Sequence, residues 1–207
     1  MIFLDPPFIS RFLEHLLIVF AAVLFTIIAG MPLGISAYFY KNLRKVILMI
    51  AEILQTVPTM ALLGIIMIVI GPGKPTVIIG LLLYSLLPVV QNTYIGLSEV
   101  DPALKETATG MGMTRMYKLT HVELPIAFPL IFAGIRIATV TAVGIATFAS
   151  LVGGGGLGAL IFQGIRTSNA QLIVASTAAL MMMALMLDFG MALIEKFLQK
   201  RFSAQKN

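Results

Sequence analysis

Polar positions in this chain cluster between long apolar stretches, each on the scale of a whole membrane crossing. Crossing ~30 Å of hydrocarbon takes about 20 mainly apolar residues at a helical rise of about 1.5 Å each. Five stretches qualify, at about 16–38, 46–70, 76–96, 124–151 and 172–197. The pattern predicts an all-α integral membrane protein of five spans, with residues 1–207 forming one transmembrane domain. The first span carries Gly30-Met-Pro-Leu-Gly34, a small-xxx-small spacing that lets helices approach closely. The second is broken at Gln55-Thr56-Val57-Pro58, and the third closes on Gln91-Asn92-Thr93.

The longest polar interruption is a loop at about 98–123, and its pattern is not that of a solvated linker. Asp101-Pro102 reads as a helix start, an N-cap carboxylate followed by a residue whose fixed φ suits the first turn. Leu104, Ala108 and Met111 fall on one helical face. Gly110 and Gly112 stop that helix and permit a bend, and Thr114 can cap a second short helix running into Leu124-Pro125. Met111, Met113 and Met116 suit a surface that must re-pack against a partner. On pattern alone, the loop docks on a partner or lies on the bilayer.

Composition agrees with the membrane reading. Hydrophobic residues make up 59% and charged residues 11%, against about 45–50% and 25% in soluble domains. The chain has no cysteine, which excludes disulfides and thiolate metal sites. A net charge of +5 comes without a basic patch interleaved with aromatics, so no nucleic-acid partner is implied. No basic region precedes the first apolar run, as a signal peptide would require.

The positive charges instead set orientation. One side collects Lys41, Arg44, Lys45, Lys105, Arg115, Lys118, Lys196, Lys200, Arg201 and Lys206, and the other only Arg11, Lys74 and Arg166. The basic side is expected in the cytoplasm. That places the N-terminus outside, the C-terminus inside, and the Glu106–Pro125 stretch in the cytoplasm.

Polar groups within the spans carry the functional candidates. Backbone freed by a helix break survives only beside protein or water, so Gln55, Thr56 and Pro58 face a translocation path or form a packed proline kink. Gln91 and Asn92 join them as path candidates. Glu52, Arg136 and Asp188 are ionisable residues inside spans and should face the interior in pairs. Counting from the cytoplasmic ends places them ~10, ~18 and ~12 Å deep. Arg136 can therefore pair with Glu52 or Asp188, as a structural or gating ion pair, or the side chains snorkel to the headgroups. The run Gly153, Gly154, Gly155, Gly156 and Gly158 cannot make a stable helix and reads as a hinge or re-entrant turn at the outer end of the fourth span.

Several apparent chemical signals fail on context. Gly153-x-Gly155-x-x-Gly158 follows a membrane helix and has no βαβ unit around it, so it is no dinucleotide site. Gly71-Pro-Gly-Lys74-Pro75 lacks the spacing and the hydroxyl of a phosphate loop. Glu52 and Asp188 sit in no protease motif. His15 and His121 stand apart, without the partners of a metal or nucleophilic centre, and are expected at the membrane interface. No catalytic or metal site is predicted.

The loop also resembles the "EAA" motif of bacterial ABC-importer permeases, E-A-A-x3-G-x9-I-x-L-P. Here it reads Glu106-Thr107-Ala108, three residues, Gly112, nine residues, Val122, one residue, Leu124-Pro125, with Thr107 and Val122 as the departures. Beyond it, Leu54-Gln-Thr-Val-Pro58, Leu87-Pro-Val-Val-Gln-Asn-Thr-Tyr94 and Gly155-Gly-Leu-Gly158 resemble the osmoprotectant permeases, those for glycine betaine, carnitine and choline. Methionine-type permeases are the alternative. A scaffold subunit without transport or a passive channel is the more distant one.

The resemblance implies the type I importer, MetI-like core with a coupling helix. It implies Glu106, Ala108, Gly112, Leu124 and Pro125 as the ATPase-coupling residues, with Ala108 on a flat docking face. Implied partners are cytoplasmic ATPase subunits, a second permease subunit of the same or a sister chain, and an extracellular or lipid-anchored substrate-binding protein, all in a bacterial plasma membrane. ATP and magnesium would be bound by the ATPase, with no cofactor in this chain. Quaternary ammonium ions are held best by tryptophan cages, and this chain has no tryptophan. The tight cage is therefore expected in the binding protein.

Overall fold

The computed structural model describes residues 5–204, with side chains through residue 198, and every regular element among them is helical. Helix α1 is Pro6–Phe39, α2 Lys41–Thr56, α3 Thr59–Ile70 and α4 Lys74–Ser98. Short α5, Pro102–Gly110, and α6, Arg115–Lys118, follow, then α7, Leu124–Ile145, α8, Leu157–Arg166, and α9, Ala170–Ala204. Four segments are long and apolar enough to cross a membrane: Pro6–Phe39, Lys74–Ser98, Arg115–Val152 and Ala170–Leu198.

The pair α2 and α3 is long and apolar enough only when the two are taken together, and it is bent by 103° at its break. The expected second span is thus no single rod. Pro58 has no N–H to donate and disfavours helical geometry in the residue before it. Val57 accordingly sits at φ −69° and ψ 128°, in extended conformation. The basic residues Lys41, Arg44 and Lys45 all lie on the α2 side of the break, and α3 is wholly uncharged.

The expected start of the fourth span at Leu124 falls inside continuous helix. Helix α6 passes through a π-helical turn, Leu119–Glu123, straight into α7, which ends in a 3-10 stretch, Ala146–Val152. No flexible joint separates the polar loop from the span above it. The polar pattern carries the loop to residue 123, but in the fold it stops at Thr114, whose hydroxyl accepts the Tyr117 N–H.

Helices α1, α4 and α7 pack side by side, and α9 lies against α7 and α8. The main core brings together Val19, Ala22, Leu81, Ala142, Ala146, Leu157 and Met183. Close contact of α1 with α4 depends on Gly34, where a Cβ would come within 2.8 Å of the Val90 carbonyl oxygen. A methyl group there would push the helix backbones apart. Conversely, much of α9 is uncovered, including Met181, Met182, Met186, Phe189 and Leu193, as befits a surface in contact with lipid or another subunit.

His15, early in α1, is packed inside the protein. It is fully buried, its Nε2 3.1 Å from the Val143 carbonyl oxygen, while Nδ1 has no hydrogen-bond partner. Its i+3 and i+4 neighbours Ile18 and Val19 share the buried face of α1, so helical phase decides its burial. His121 is exposed and stacks on Tyr117 at 3.9 Å between ring centroids.

Candidate functional site: a lashed loop, a braced break and an intramembrane ion pair

The polar loop folds by the local signals in its sequence. Asp101 Oδ1 accepts the Ala103 N–H at 2.8 Å and caps α5. Gly112 adopts φ +79°, the left-handed region, and the Met113 N–H returns to the Ala108 carbonyl at 3.1 Å to close the bend.

Basic side chains then tie the loop to the ends of the spans. Lys105 Nζ donates to the Leu97 carbonyl at 2.9 Å and stands 5.1 Å from the Tyr38 ring centroid. The Arg115 guanidinium carbon is 4.1 Å above the Phe39 ring, and that of Arg44 is 4.5 Å above Tyr94. Three charges that set the orientation rule therefore also clamp onto aromatic rings. The orientation count draws too on Lys200, Arg201 and Lys206, whose side chains lie outside the described residues.

The EAA-type residues divide into two groups. Glu106 and Gly112 are exposed on the loop. Ala108, expected on the docking face, is instead buried at 2% exposure, because it is the point where α5 leans on its own chain. Its small size serves that close contact. Leu124 packs with Leu97, Val100, Leu119, Ala127 and Ile131 beneath the loop, and Pro125 follows the π-turn inside the continuous helix, where its missing N–H leaves a carbonyl of the preceding turn without its helical donor. Met111 and Met116, exposed at 66% and 64%, form the open face.

Glu123, not singled out in the sequence, is buried at 2% exposure at the end of the π-turn. Its carboxylate lies beside the Tyr38 hydroxyl, and its Oε2 has no hydrogen-bond partner. A lone acid within Leu119-Thr-His-Val-Glu-Leu-Pro, at the foot of a span, was the available signal.

Within the membrane, the path candidates behave differently from one another. Gln55 Nε2 donates to the Tyr84 carbonyl at 3.0 Å. That carbonyl is the one Pro88, four residues on, cannot satisfy. Asn92 Nδ2 donates to the Pro88 carbonyl at 2.8 Å. Gln55 thus repairs the backbone around a proline inside a span and braces the break next to Pro58 against α4, whereas Asn92 adds a second donor to a carbonyl of its own helix. Thr56 bonds back to the Ile53 carbonyl at 2.8 Å, and Gln91 is exposed on α4.

Arg136 on α7 meets Asp188 on α9 in a two-pronged pair: Nε donates to Oδ1, and Nη2 to Oδ2 at 2.7 Å. Glu195, two helical turns further along α9, stands 3.9 Å from Arg136 Nη1. Glu52 takes no part; it is exposed on α2, the amphipathic half of the broken span. Beside the pair opens a cleft of about 400 Å³, lined by Ala133, Arg136, Ile137, Val140, Thr141 and Asp188.

At the end of the fourth span away from the polar loop, the glycine turn is clasped rather than loose. Gly153, Gly155 and Gly156 take positive φ near 79°, 79° and 78°. The Gly154 N–H bonds the Ala149 carbonyl at 2.7 Å, and the Gly156 N–H bonds Glu14 Oε2 at 2.9 Å. Glu14 also holds Arg11 at 2.8 Å and Lys74 at 3.0 Å. Gly158, expected within the turn, lies inside α8, where its missing Cβ lets the helix sit directly on the Thr147 backbone.

A bundle of long apolar helices, one sharply bent helix pair and a helical polar loop continuous with a span define a multi-pass membrane protein. Residues 22–204 match the family described as the inner membrane component of binding-protein-dependent transport systems, and the chain belongs to it. It is 39% identical over 191 residues to the glycine betaine/carnitine/choline transport system permease protein OpuCD of Bacillus subtilis, covering 92% of this chain and 83% of that one. The carnitine transport permease protein OpuCD of Listeria monocytogenes is 39% identical over 190 residues, covering 91% and 85%. The osmoprotectant import permease protein OsmY of Salmonella typhimurium is 40% identical over 177 residues, covering 84% and 75%. In fold, the chain is similar to a chain of the inward-facing MetNI methionine ABC transporter, with a TM-score of 0.84 over 93% of this chain and 96% of that one, at 23% identity. The fold is thus the MetI-like permease core, and the chain is a multi-pass membrane subunit of a transporter that works with ATPase and substrate-binding partners.

Proposed function

We propose that this chain is the permease subunit of an ATP-driven importer of quaternary ammonium osmoprotectants such as glycine betaine, carnitine and choline. The single observation that carries this reading is its likeness, at about two-fifths identity over nine-tenths of its length, to permeases named for those compounds. Similarity to the methionine transporter at 23% identity speaks for the fold and not for the cargo.

On this reading two permease subunits, both of this chain or one with a sister, sit on two cytoplasmic ATPases in a bacterial plasma membrane. The N-terminus faces outward and the C-terminus inward. A binding protein outside, free or lipid-anchored, holds the substrate tightly and delivers it. ATP and magnesium stay on the ATPase subunits. Met111, Met116 and Glu106 offer the docking face, while Ala108, Leu124 and Pro125 seat the coupling helix on its own span and Gly112 sets its bend. Because α6 runs without a joint into α7, a push on the loop moves the span as one lever. Gln55, Thr56, Pro58, Gln91, Asn92 and Arg136 belong to the path and its moving parts. The clasped turn at Gly153–Gly156 is the outer pivot.

The test uses the absence of native cysteine. Met111→Cys, crosslinked in native membranes, should trap an ATPase subunit, and cells carrying the system should take up labelled glycine betaine, carnitine or choline in preference to methionine. Crosslinks to lipid alone would sink the coupling role. Uptake of methionine alone would move the chain to the amino-acid importers.

A further inference from the structure

We propose that the Arg136–Asp188 pair and the cleft beside it form a transit site for a zwitterion that carries a quaternary ammonium and a carboxylate. This inference rests on the osmoprotectant reading and names the groups that meet the substrate inside the membrane.

The pair is placed as a site and not only as a brace. Its side chains are 34% and 31% exposed, partway along two helices long enough to cross the bilayer. Arg136 lies near the middle of the continuous Arg115–Val152 segment. Open charges at that depth are too costly against lipid, so the cleft faces water or protein. Its volume of about 400 Å³ falls in the range of small-molecule sites, about 300–1,000 Å³.

The lining fits the two ends of such a molecule. Ala133, Ile137 and Val140 give an apolar wall for N-methyl groups, which have no hydrogen to donate. The Arg136 guanidinium is a fork for a carboxylate, and the Asp188 carboxylate is a counter-charge for the ammonium. A zwitterion slipping between them replaces one internal pair by two external ones and leaves the charge of the site unchanged. A simple anion would strand Asp188, whereas a cation such as choline would take Asp188 alone and leave Arg136 beside Glu195. Glu195, 3.9 Å from Arg136 Nη1, keeps a negative neighbour beside the guanidinium while Asp188 turns to the ligand. Among the described residues no aromatic ring lines the cleft, so the hold lacks cation–π attraction and suits passage over storage.

The experiment places a single cysteine at Thr141 in this cysteine-free chain, in native membranes with its partner subunits present. A trimethylammonium-bearing methanethiosulfonate is the probe, and labelling is read on the isolated chain. The cysteine is expected to react, and glycine betaine at ten times its dissociation constant should slow the reaction about tenfold. In the Arg136→Gln/Asp188→Asn background, which keeps a hydrogen-bonded pair without charge, labelling should persist and the protection should vanish. No labelling would mean that lipid or a second copy covers the cleft, and would overturn the proposal. So would labelling that glycine betaine does not slow, or protection that survives in the neutral pair. If Thr141→Cys does not accumulate, Ala133→Cys on the same wall gives the same readout. Uptake of labelled glycine betaine by the unaltered protein is measured in the same cells. Absent uptake refutes the osmoprotectant reading, whereas normal uptake without protection refutes the transit site alone.

Discussion

Gln55 Nε2 donates to the Tyr84 carbonyl at 3.0 Å, the acceptor that Pro88 leaves without its helical partner. A break in one span is thereby braced by a defect in another. Replacing Gln55 with Leu leaves that carbonyl unsatisfied, at a cost of about 1–3 kcal/mol. Pro88→Ala supplies the missing N–H, so the double variant should recover some of the loss. Melting of the detergent-solubilised protein checks this; additive losses in the double variant would contradict the pairing.

Glu14 gathers Arg11, Lys74 and the Gly156 N–H around one carboxylate. Glu14→Ala unties α1 from both α4 and the glycine turn, and should lower the melting temperature more than Glu14→Gln, which keeps an acceptor for Gly156. Gly155→Ala should fall further still: its φ of +79° disfavours a side chain, and a Cβ would strike the Glu14 carboxylate. Equal melting points across the three variants would argue that the clasp is not formed.

At Gly112 the obstacle is conformational alone. A Cβ there meets no atom within 4 Å, but φ is +79°. Non-glycine residues in this region cost about 1–2 kcal/mol, with Asn the best tolerated. The expected order of ATPase co-purification is Gly, then Asn, then Ala, then Val, with the membrane portion still assembled. Full transport by Gly112→Val would overturn the role of the bend in coupling.

Arg136→Met leaves Asp188 and Glu195 without their shared cation inside the membrane, so less protein should accumulate. Removing the stranded acid as well, in Arg136→Met/Asp188→Leu, should restore accumulation but not transport. Western blotting and substrate uptake separate the two effects. Recovery of both would reduce the pair to a structural brace.

Burial beneath the loop supplies another check. Glu123 carries a buried oxygen without a partner, so Glu123→Gln should fold at least as well as the native chain while weakening the link between loop and α1. Coupled ATP hydrolysis is the readout: unchanged stimulation by loaded binding protein would leave Glu123 with no role in transmission.

Much of this architecture was legible because its signals are local. Asp101, Pro102, Gly112 and Thr114 cap, start, bend and restart helices through bonds between residues two to five positions apart, so the loop could be drawn from its letters. Ala108 was harder. A small residue on an amphipathic face fits a docking surface and a tight internal contact equally, and only the position of α5 over its own chain decides between them.

The sequence by itself determined that this is a membrane protein of helical spans and where its polar loop lies, but of the three charges it expected to be sheltered Glu52 is exposed. Hydrophobic length and the absence of solvent in the bilayer leave no alternative for the backbone. Only the tertiary structure decided which partners meet. It paired Arg136 with Asp188 and not Glu52, brought Gln55 to Tyr84, buried His15, and set Glu14 against a glycine turn 142 residues away. Depth along a helix can be counted in residues, but the rotation and tilt that bring two helices face to face come from packing between them, which no single helix encodes.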